Sequence, residues 1–325
     1  MLRYILRHCC VLLGVVIIFF TISSLNCNVK DKYPKLNDLK IGLATDSDAY
    51  LSEDNIDTVV YKDDNTNADM FPDCFFALFL NETDHEVYTA KNVHTRMYPA
   101  SMTKYMTAII VCEKIESGEI SLDDVVTVQK NYDLSGYDVA PNTLSAGNKI
   151  TVKDLLYGLM IESNNYFALI LADYVSGDST SFCDLMNKKA HTIGATNTHY
   201  MNPHGLDDTN HYSTAYDIYL ITKEAYKHPI LHDIDTLSEY TYTYYDNNGI
   251  RVYVDISATN MFVTGKVNLP ANYHIEVWKT GTTTGAGNCL SMYLTKDGKD
   301  YFIVAASGVS KNVLYDALIK MLCSI

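Results

Sequence analysis

Hydrophobic and polar positions divide the chain into a strand-rich beginning, a helical middle and a strand-rich end. Near the beginning, Cys74–Leu80 and Glu86–Ala90 are short apolar runs joined by a polar turn, which predicts a hairpin. Near the end, an Asn248-Gly249 pair between β-rich arms predicts a second hairpin. Three further strands are predicted after it, at His274–Thr280, Asn288–Thr295 and Tyr301–Ser307.

The middle of the chain carries helical signals. Ser101 to Ile115 is apolar on almost every side, so we expect a helix that is buried all round. Thr151-x-x-Asp154 resembles a capping box, and Ser213 is expected to cap a helix that ends near Pro229. The predicted helices after the first run from Thr151 to about Ile161, over Asn165–Val175, over Thr180–Ile193 up to Gly194, from Ser213 to about Pro229, and over Val313–Leu322.

This order of elements predicts an α+β fold. Because a lone hairpin is only marginally stable, the two terminal groups of strands are expected to pair into one antiparallel sheet of about five strands. Helices flank this sheet, and the helices of the middle form a separate central lobe. A cleft between a sheet and a helical lobe is the natural place for a functional site.

The N-terminal segment has the pattern of an export signal. Cys9 to Leu25 is strongly apolar and follows Arg3 and Arg7, which predicts a signal peptide or a membrane anchor over residues 1–29. Residues 30–70 are acidic and polar and are predicted to be a tether. The folded body is expected over residues 71–325, with the helical insert at about 116–230.

Composition and motif content argue against several classes of function. The chain is 47% apolar and 20% charged, and its formal charge of −14 argues against a nucleic-acid partner. Outside the N-terminal segment five cysteines remain, with no Cys-x-x-Cys pair, so packed thiols are favoured over a disulfide framework. No His-Glu-x-x-His sequence is present, and His228 and His232 lie on either side of Pro229, so a metal-dependent peptidase is disfavoured.

Three short sequences carry candidate chemistry: Ser101-Met102-Thr103-Lys104, Ser163-Asn164-Asn165 and Lys279-Thr280-Gly281. Taken alone, each sequence could equally be a helix cap or a turn at the end of a strand. Together they fall in order on a buried helix start, on a break between two helices and at a strand end. That combination favours a shared site.

The spacing of these residues suits nucleophilic catalysis. Ser101 and Lys104 are three positions apart on one helical face, so the two side chains can touch. A lysine can take the serine proton if burial and a second cation lower its pKa, and Lys279 is the candidate for that cation. Ser163 can relay a proton, Asn165 can hold a peptide carbonyl, and Gly281 allows a substrate backbone to approach closely.

The three motifs resemble those of low-molecular-weight penicillin-binding proteins of the D-alanyl-D-alanine carboxypeptidase family. The resemblance runs from about Cys74 to Ile325. YPASMTKYMTA is similar to the nucleophile segment, KDLLYGLMIESNNYFALILA to the second motif and KTGTTTGAGNCL to the third. Two further segments, Asn202–Leu206 and His211–Ala215, are also typical of these enzymes.

The resemblance implies a role for each residue. Ser101 would be acylated by the penultimate D-Ala carbonyl, with Lys104 as base. Thr280 and Lys279 would bind the terminal carboxylate of the substrate. The backbone N–H groups of Ser101 and Thr282 would form the oxyanion hole.

The resemblance also implies a DD-peptidase/β-lactamase-like fold, a serine-type carboxypeptidase that trims peptidoglycan stem peptides ending in D-Ala-D-Ala, and covalent inhibition by β-lactam antibiotics. No cofactor or metal is expected. The body would lie on the extracytoplasmic face of a bacterial membrane, held through the N-terminal segment, or be secreted if that segment is cleaved.

The sequence departs from the family pattern at several positions. Asn164 stands where Gly is usual, Tyr166 where Asp is common, and Val277-Trp278 precede Lys279. The arginine that helps to hold the substrate carboxylate in some members has no obvious counterpart after Gly308, and Lys311 is the candidate substitute.

Two alternatives on the same scaffold stay open. One is a penicillin-binding sensor or degenerate sporulation protein that is acylated but does not turn over. The other is a class A β-lactamase, which needs a further carboxylate to activate the deacylating water. The stretch around His199 offers none in the expected pattern, so this reading is the weaker.

Overall fold

The computed structural model describes residue 60 and residues 66–70, 72–140 and 143–325. The predicted signal or anchor at 1–29 lies outside these residues, as does most of the predicted tether at 30–70. Both stay predictions, as do the domain boundaries. Within the described ranges no helix combines the length and the apolar character needed to cross a bilayer.

A five-stranded antiparallel sheet joins the two ends of the folded body. Its order is β2-β1-β9-β8-β7, so the first hairpin pairs with the last strand of the chain. This arrangement confirms the predicted sheet. Its strands are β1 Phe76–Asn81, β2 Glu86–Lys91, β7 Tyr273–Thr283, β8 Gly287–Lys296 and β9 Lys299–Gly308.

A second sheet of four strands lies outside the predicted fold. It contains the Asn248-Gly249 hairpin, which forms as expected from β5 Glu239–Tyr245 and β6 Arg251–Ser257. The hairpin is extended by β3 Val125–Thr127 and β4 Lys149–Thr151, in the order β3-β4-β5-β6. These two strands have three residues each, which is too short for a period-two pattern to be recognised in the sequence.

The helices of the described chain are α1 Lys104–Glu116, α2 Val152–Ile161, α3 Asn165–Ser176, α4 Ser179–Thr192, α5 Ala215–Tyr226, α6 Pro229–Asp235 and α7 Lys311–Leu322. Every residue of α1 from Lys104 to Cys112 is buried, as the all-round apolar pattern predicts. The helix packs against α2, α3, α4 and α5, and α5 in turn packs on the large sheet. The start of α1 is therefore held on most sides.

One local expectation was wrong. The cap of α5 is Thr214 and not Ser213, because the Thr214 side chain accepts from the Asp217 backbone N–H at 3.0 Å, whereas Ser213 Oγ lies 2.8 Å from Thr198 Oγ1. The helix ends near Pro229 as predicted, since its last residue is Tyr226. Pro229 itself occupies the first position of α6, where a backbone N–H would have no partner within the helix in any case.

The cysteines follow the prediction of packed thiols with one exception. Cys74, Cys112, Cys183 and Cys289 are buried and free, while Cys323, also free, is exposed.

Candidate active site

The first motif forms a tight turn that leads directly into α1. Residues Ala100–Thr103 make one turn of 3₁₀ helix, and Lys104 begins the α-helix without a break. Ser101 Oγ and Lys104 Nζ are 2.8 Å apart, which is hydrogen-bonding distance. Ser101 is partly exposed, whereas Lys104 is completely buried. The hydroxyl therefore faces the cleft and the amine lies behind it.

Two fixed oxygens also contact the Lys104 amine. Asn165 Oδ1 lies 2.7 Å from Nζ, and the backbone oxygen of His204 lies 2.6 Å from it. A neutral amine has two N–H groups and one lone pair. The two N–H groups can donate hydrogen bonds to these two oxygens, which leaves the lone pair directed at the Ser101 hydroxyl.

The electrostatics of Lys104 favour that neutral state. Burial lowers the pKa of Lys104 well below its ordinary value, and the positive charge of Lys279 lowers it further. No carboxylate offsets these effects, since the polar groups that bond Nζ within the described chain are neutral. An uncharged lysine amine beside a serine hydroxyl can act as a general base.

The second motif lies between α2 and α3. Ser163 adopts a positive φ of 67°, which turns the chain between the two helices. Asn164 caps α3, because its Oδ1 accepts from the Tyr166 and Phe167 backbone N–H groups at 3.0 and 3.2 Å. In the part of the chain that the structure describes, the buried Ser163 Oγ has no hydrogen-bond partner. It remains available to a group that enters the cleft.

The third motif lies on β7, at the edge of the large sheet. A Cβ on Gly281 would lie 2.9 Å from Ala100 Cβ and 3.0 Å from the Ser101 nitrogen, so only glycine lets β7 pass this close to the turn. Lys279 is completely buried, and burial lowers its pKa to about 7 while Asp235 acts in the opposite direction. Thr280 Oγ1 lies 2.6 Å from Thr259 Oγ1.

Two adjoining cavities open at Ser101, Ser163 and Thr282. The larger, of about 700 Å³, is lined by the loop 136–140 and by the β5–β6 hairpin. Among the residues that the structure describes, its lining contains no basic side chain and four acidic ones: Asp138, Glu162, Asp207 and Asp255. The smaller, of about 220 Å³, is lined by Thr280 and by Lys311, the candidate for the missing arginine. The predicted site residues thus gather around one cleft.

A family model described as D-alanyl-D-alanine carboxypeptidase matches residues 75–307. The chain belongs to the D-alanyl-D-alanine carboxypeptidase family.

Relatives and solved structures agree with this assignment. The chain is 32% identical over 218 residues to the carboxypeptidase DacF of Bacillus subtilis, an alignment that covers 66% of this chain and 52% of DacF. It is 29% identical over 257 residues to DacC of Escherichia coli, which covers 75% of this chain and 59% of DacC. The chain thus spans between half and two thirds of these two relatives. The crystal structure of the Streptomyces K15 DD-transpeptidase superposes with a TM-score of 0.69 at 26% identity, covering 81% of this chain and 98% of that one.

Two departures from the pattern of the carboxypeptidase family have structural explanations. Asn164, where the family usually has glycine, supplies the cap of α3. Trp278, ahead of the third motif, is completely buried, and its indole N–H donates to the backbone oxygen of Asp235 at 2.8 Å. Both residues support the positions of their motifs; Asn164 also lines the larger cavity, whereas Trp278 lines neither.

Sequence reasoning missed the part that His204 and Gly205 take in the site. The segment Asn202–Leu206 was noted only as typical of the carboxypeptidase family, yet its His204 oxygen contacts the Lys104 amine. Gly205 has a φ of 89°, and a Cβ there would lie 1.9 Å from the Ala100 oxygen. A backbone acceptor has no side-chain signature, so only the glycine could have indicated it.

One group of possible metal ligands lies elsewhere in the described residues. Atoms of Glu113, Glu224 and His228 lie within 4.8 Å of one another. The Lys189 ammonium already donates to both carboxylates, at 2.6 Å each. An ion pair therefore accounts for this group.

Gly205 provides a test of the geometry at Lys104. Gly205→Ala should force residues 204–206 away from the Ser101 turn and remove the His204 oxygen from the amine. We expect acylation by a fluorescent penicillin to slow by about 100-fold or more, as misplacement by an ångström can cost. Gly194→Ala is the matched control, because Gly194 has a similar φ of 84° but its Cβ would meet only Leu220 Cδ1, at 3.7 Å. Equal rates in the two variants would contradict the assigned geometry.

Proposed function

We propose that this chain is a serine-type D-Ala-D-Ala carboxypeptidase that trims peptidoglycan stem peptides through an acyl-enzyme on Ser101. The observation that carries the proposal is the 2.8 Å approach of Ser101 Oγ to a completely buried Lys104 amine at the mouth of a cleft. Family membership supports the same chemistry. The substrate of the relatives is named in their descriptions and is proposed, by similarity, for this chain.

Acylation begins with the neutral amine of Lys104. As the Ser101 hydroxyl attacks the penultimate D-Ala carbonyl, its proton passes to Lys104 Nζ. The carbonyl oxygen becomes an oxyanion, which the backbone N–H groups of Ser101 and Thr282 would bind. Each such donor contributes roughly 3 to 4 kcal/mol to the transition state in comparable enzymes.

The leaving group then needs the proton that Lys104 has taken. Ser163 Oγ is buried at the cleft and free of protein partners among the described residues, so it can pass that proton to the amine of the terminal D-Ala. The C–N bond breaks, free D-Ala departs and the acyl group remains on Ser101. In the second half-reaction water attacks the ester, and Lys104 accepts the proton of the water and returns one to Ser101.

The smaller cavity suits the terminal carboxylate of the substrate. Thr280 and Thr282 line it, and Lys311, exposed at the start of α7, is the cation at its rim. Lys279 is completely buried and lines neither cavity, so we propose that it acts on the carboxylate through its charge and not by direct contact.

A protein with this substrate works outside the cytoplasmic membrane, where peptidoglycan lies. We therefore place the body on the extracytoplasmic face of a bacterial membrane, attached through the N-terminal segment, or secreted if that segment is cleaved. β-Lactam antibiotics would acylate the same serine.

The central test combines penicillin labelling with D-Ala release. Fluorescent penicillin should label the wild type at Ser101, and Ser101→Ala and Lys104→Ala should lose labelling and the release of D-Ala from diacetyl-Lys-D-Ala-D-Ala. Ser117→Ala and Lys114→Ala, at the other end of α1, are the matched controls and should keep both activities. Labelling that persists in Ser101→Ala would move the nucleophile elsewhere. Labelling without D-Ala release would favour the non-turnover sensor, and rapid hydrolysis of the penicillin a β-lactamase.

The acidic lining of the larger cavity favours a substrate with a free amine. Peptides with an unmodified lysine ε-amine should have kcat/KM about two- to fivefold higher than their acetylated counterparts, as expected for one partly exposed ion pair. Glu162→Gln should reduce this preference, because Glu162 adjoins Ser163 in the cavity lining. Glu239→Gln, on an exposed position of β5, is the control. Equal kcat/KM for the two peptides would contradict this part of the proposal.

A further inference from the structure

An aspartate from a distant part of the chain holds the end of β7 and the turn that follows it. The Thr283 hydroxyl, on the last residue of β7, donates to Asp207 Oδ1 at 2.6 Å. The Gly285 backbone N–H, in the turn, donates to Asp207 Oδ2 at 2.8 Å. The two donors lie 76 and 78 residues from Asp207 in sequence, so these are tertiary contacts. They tie the β7–β8 turn, residues 284–286, to the segment that follows Gly205.

The carboxylate of Asp207 is packed closely against this turn. The Thr283 hydroxyl donates to Asp207 and also accepts the Ala286 backbone N–H at 3.0 Å, so it links the carboxylate to both ends of the turn. A Cβ on Gly285 would lie 2.9 Å from Asp207 Oδ2 and 3.0 Å from Tyr98 Cδ2. Glycine at this position therefore lets the turn backbone reach the carboxylate.

The end of β7 needs such support because it has a neighbouring strand on one side only. β7 is the edge strand of the large sheet and pairs with β8. Thr282 and Gly285 are exposed. On the side of β8 and β9, the Ser307 hydroxyl donates to the Ala286 oxygen at 3.1 Å. On the other side, Asp207 accepts hydrogen bonds as a further strand would.

The supported residues adjoin a proposed oxyanion donor. Thr282 immediately precedes Thr283 and, like Ser101, lines both cavities. On one side of Thr282, Gly281 packs against the Ser101 backbone, and on the other side Thr283 is bonded to Asp207. A donor in an oxyanion hole has to lie 2.7 to 3.1 Å from the position that the oxyanion will occupy. A shift in the backbone at Thr283 would therefore carry the Thr282 N–H out of range.

We propose that Asp207 is a positioning residue that holds the β7–β8 turn so that the Thr282 N–H stays directed at the oxyanion. This inference rests on the proposed function. Both carboxylate oxygens of Asp207 are bonded to Thr283 and Gly285, and Asp207 acts on the reaction through the backbone of Thr282.

The first test is acylation by fluorescent penicillin in wild type and Asp207→Ala, resolved into the dissociation constant of the first complex and the maximal acylation rate. Oxyanion donors act in the transition state, so a displaced donor should lower the rate and leave the dissociation constant unchanged. Loss of a whole donor costs about 100- to 1,000-fold, and for a displaced one we expect about 10- to 100-fold. Asp208→Ala is the matched control, because Asp208 lines neither cavity and its Oδ1 accepts the nearby Asn210 N–H at 2.8 Å.

The second test reports on the oxyanion itself. Diacetyl-Lys-D-Ala-D-lactate and its thionoester differ in one atom, the scissile carbonyl oxygen, which is sulfur in the thionoester. A site whose donors are placed for oxygen favours the ester. We expect the ratio of kcat/KM for ester over thionoester to fall by about tenfold in Asp207→Ala and to keep its wild-type value in Asp208→Ala. Neither substrate has a free amine, so the acidic lining of the larger cavity does not affect the comparison.

Thr283 allows the same hydrogen bond to be removed from the other partner. Thr283→Val should lower the acylation rate about tenfold, and Thr283→Ser, which keeps the hydroxyl, should recover most of that loss. Asp207→Ala should cost less in the Thr283→Val background than in the wild type, because the two changes remove one shared bond. The Thr283 variants also test the inference if Asp207→Ala does not fold.

A smaller labelled fraction with a normal acylation rate in the remaining protein would overturn the inference, because it would show a purely structural role. An unchanged or higher rate with an unchanged ester-to-thionoester ratio would refute the inference and leave the proposed function intact. Equal losses in Asp207→Ala and Asp208→Ala would also contradict it. Absence of labelling in the wild type would refute both the inference and the proposed function.

Discussion

The site depends on the burial of one lysine amine. Lys104 is enclosed at the start of a helix whose first nine residues are all buried, and its Nζ contacts Ser101, Asn165 and the His204 oxygen. A charged ammonium there would lose its hydration without gaining a carboxylate, which costs several kcal/mol. The amine is therefore stabilised in its neutral form, and a neutral lysine is a base. The same burial that stabilises the fold thus prepares the nucleophile.

The rest of the fold keeps these groups together. Ser101 and Lys104 come from the start of α1, Ser163 and Asn165 from the break between α2 and α3, and Lys279 from the edge strand of the large sheet. The large sheet brings the first and last strands of the body into register, so residues far apart in sequence reach one cleft. Gly205 and Gly281 are required because the backbones of their segments approach the Ser101 turn too closely for a Cβ.

Much of this arrangement could be predicted from the sequence. The buried helix, the five-stranded sheet and the three motifs each have a local pattern, such as the apolar run of α1 or the Asn248-Gly249 turn. β3 and β4 could not be predicted, because a strand of three residues is too short to show the alternation of apolar and polar positions that identifies a strand. The cap of α5 was placed one residue early, since Ser213 and Thr214 are equally good caps and tertiary contacts decide between them.

The missed site residues act through contacts that carry no sequence signal. His204 contributes a backbone oxygen, for which any residue would serve. Asp235 holds Trp278, the residue before the third motif, but it lies 43 positions earlier in the chain and has the sequence context of an ordinary acidic residue near a helix end. This contact depends on the packing of α6 against β7, which only the tertiary structure specifies.

The most direct test of the account is the pKa of the Lys104 amine itself. Titration of ¹³C-labelled lysine ε-carbons by NMR, with Lys104→Arg and Lys279→Arg used for assignment, reports the charge on each amine separately. We predict that Lys104 titrates far below the ordinary lysine value of about 10.4 and is neutral at pH 7. A Lys104 titration at the ordinary value would contradict the account, because a charged amine could not accept the proton of Ser101.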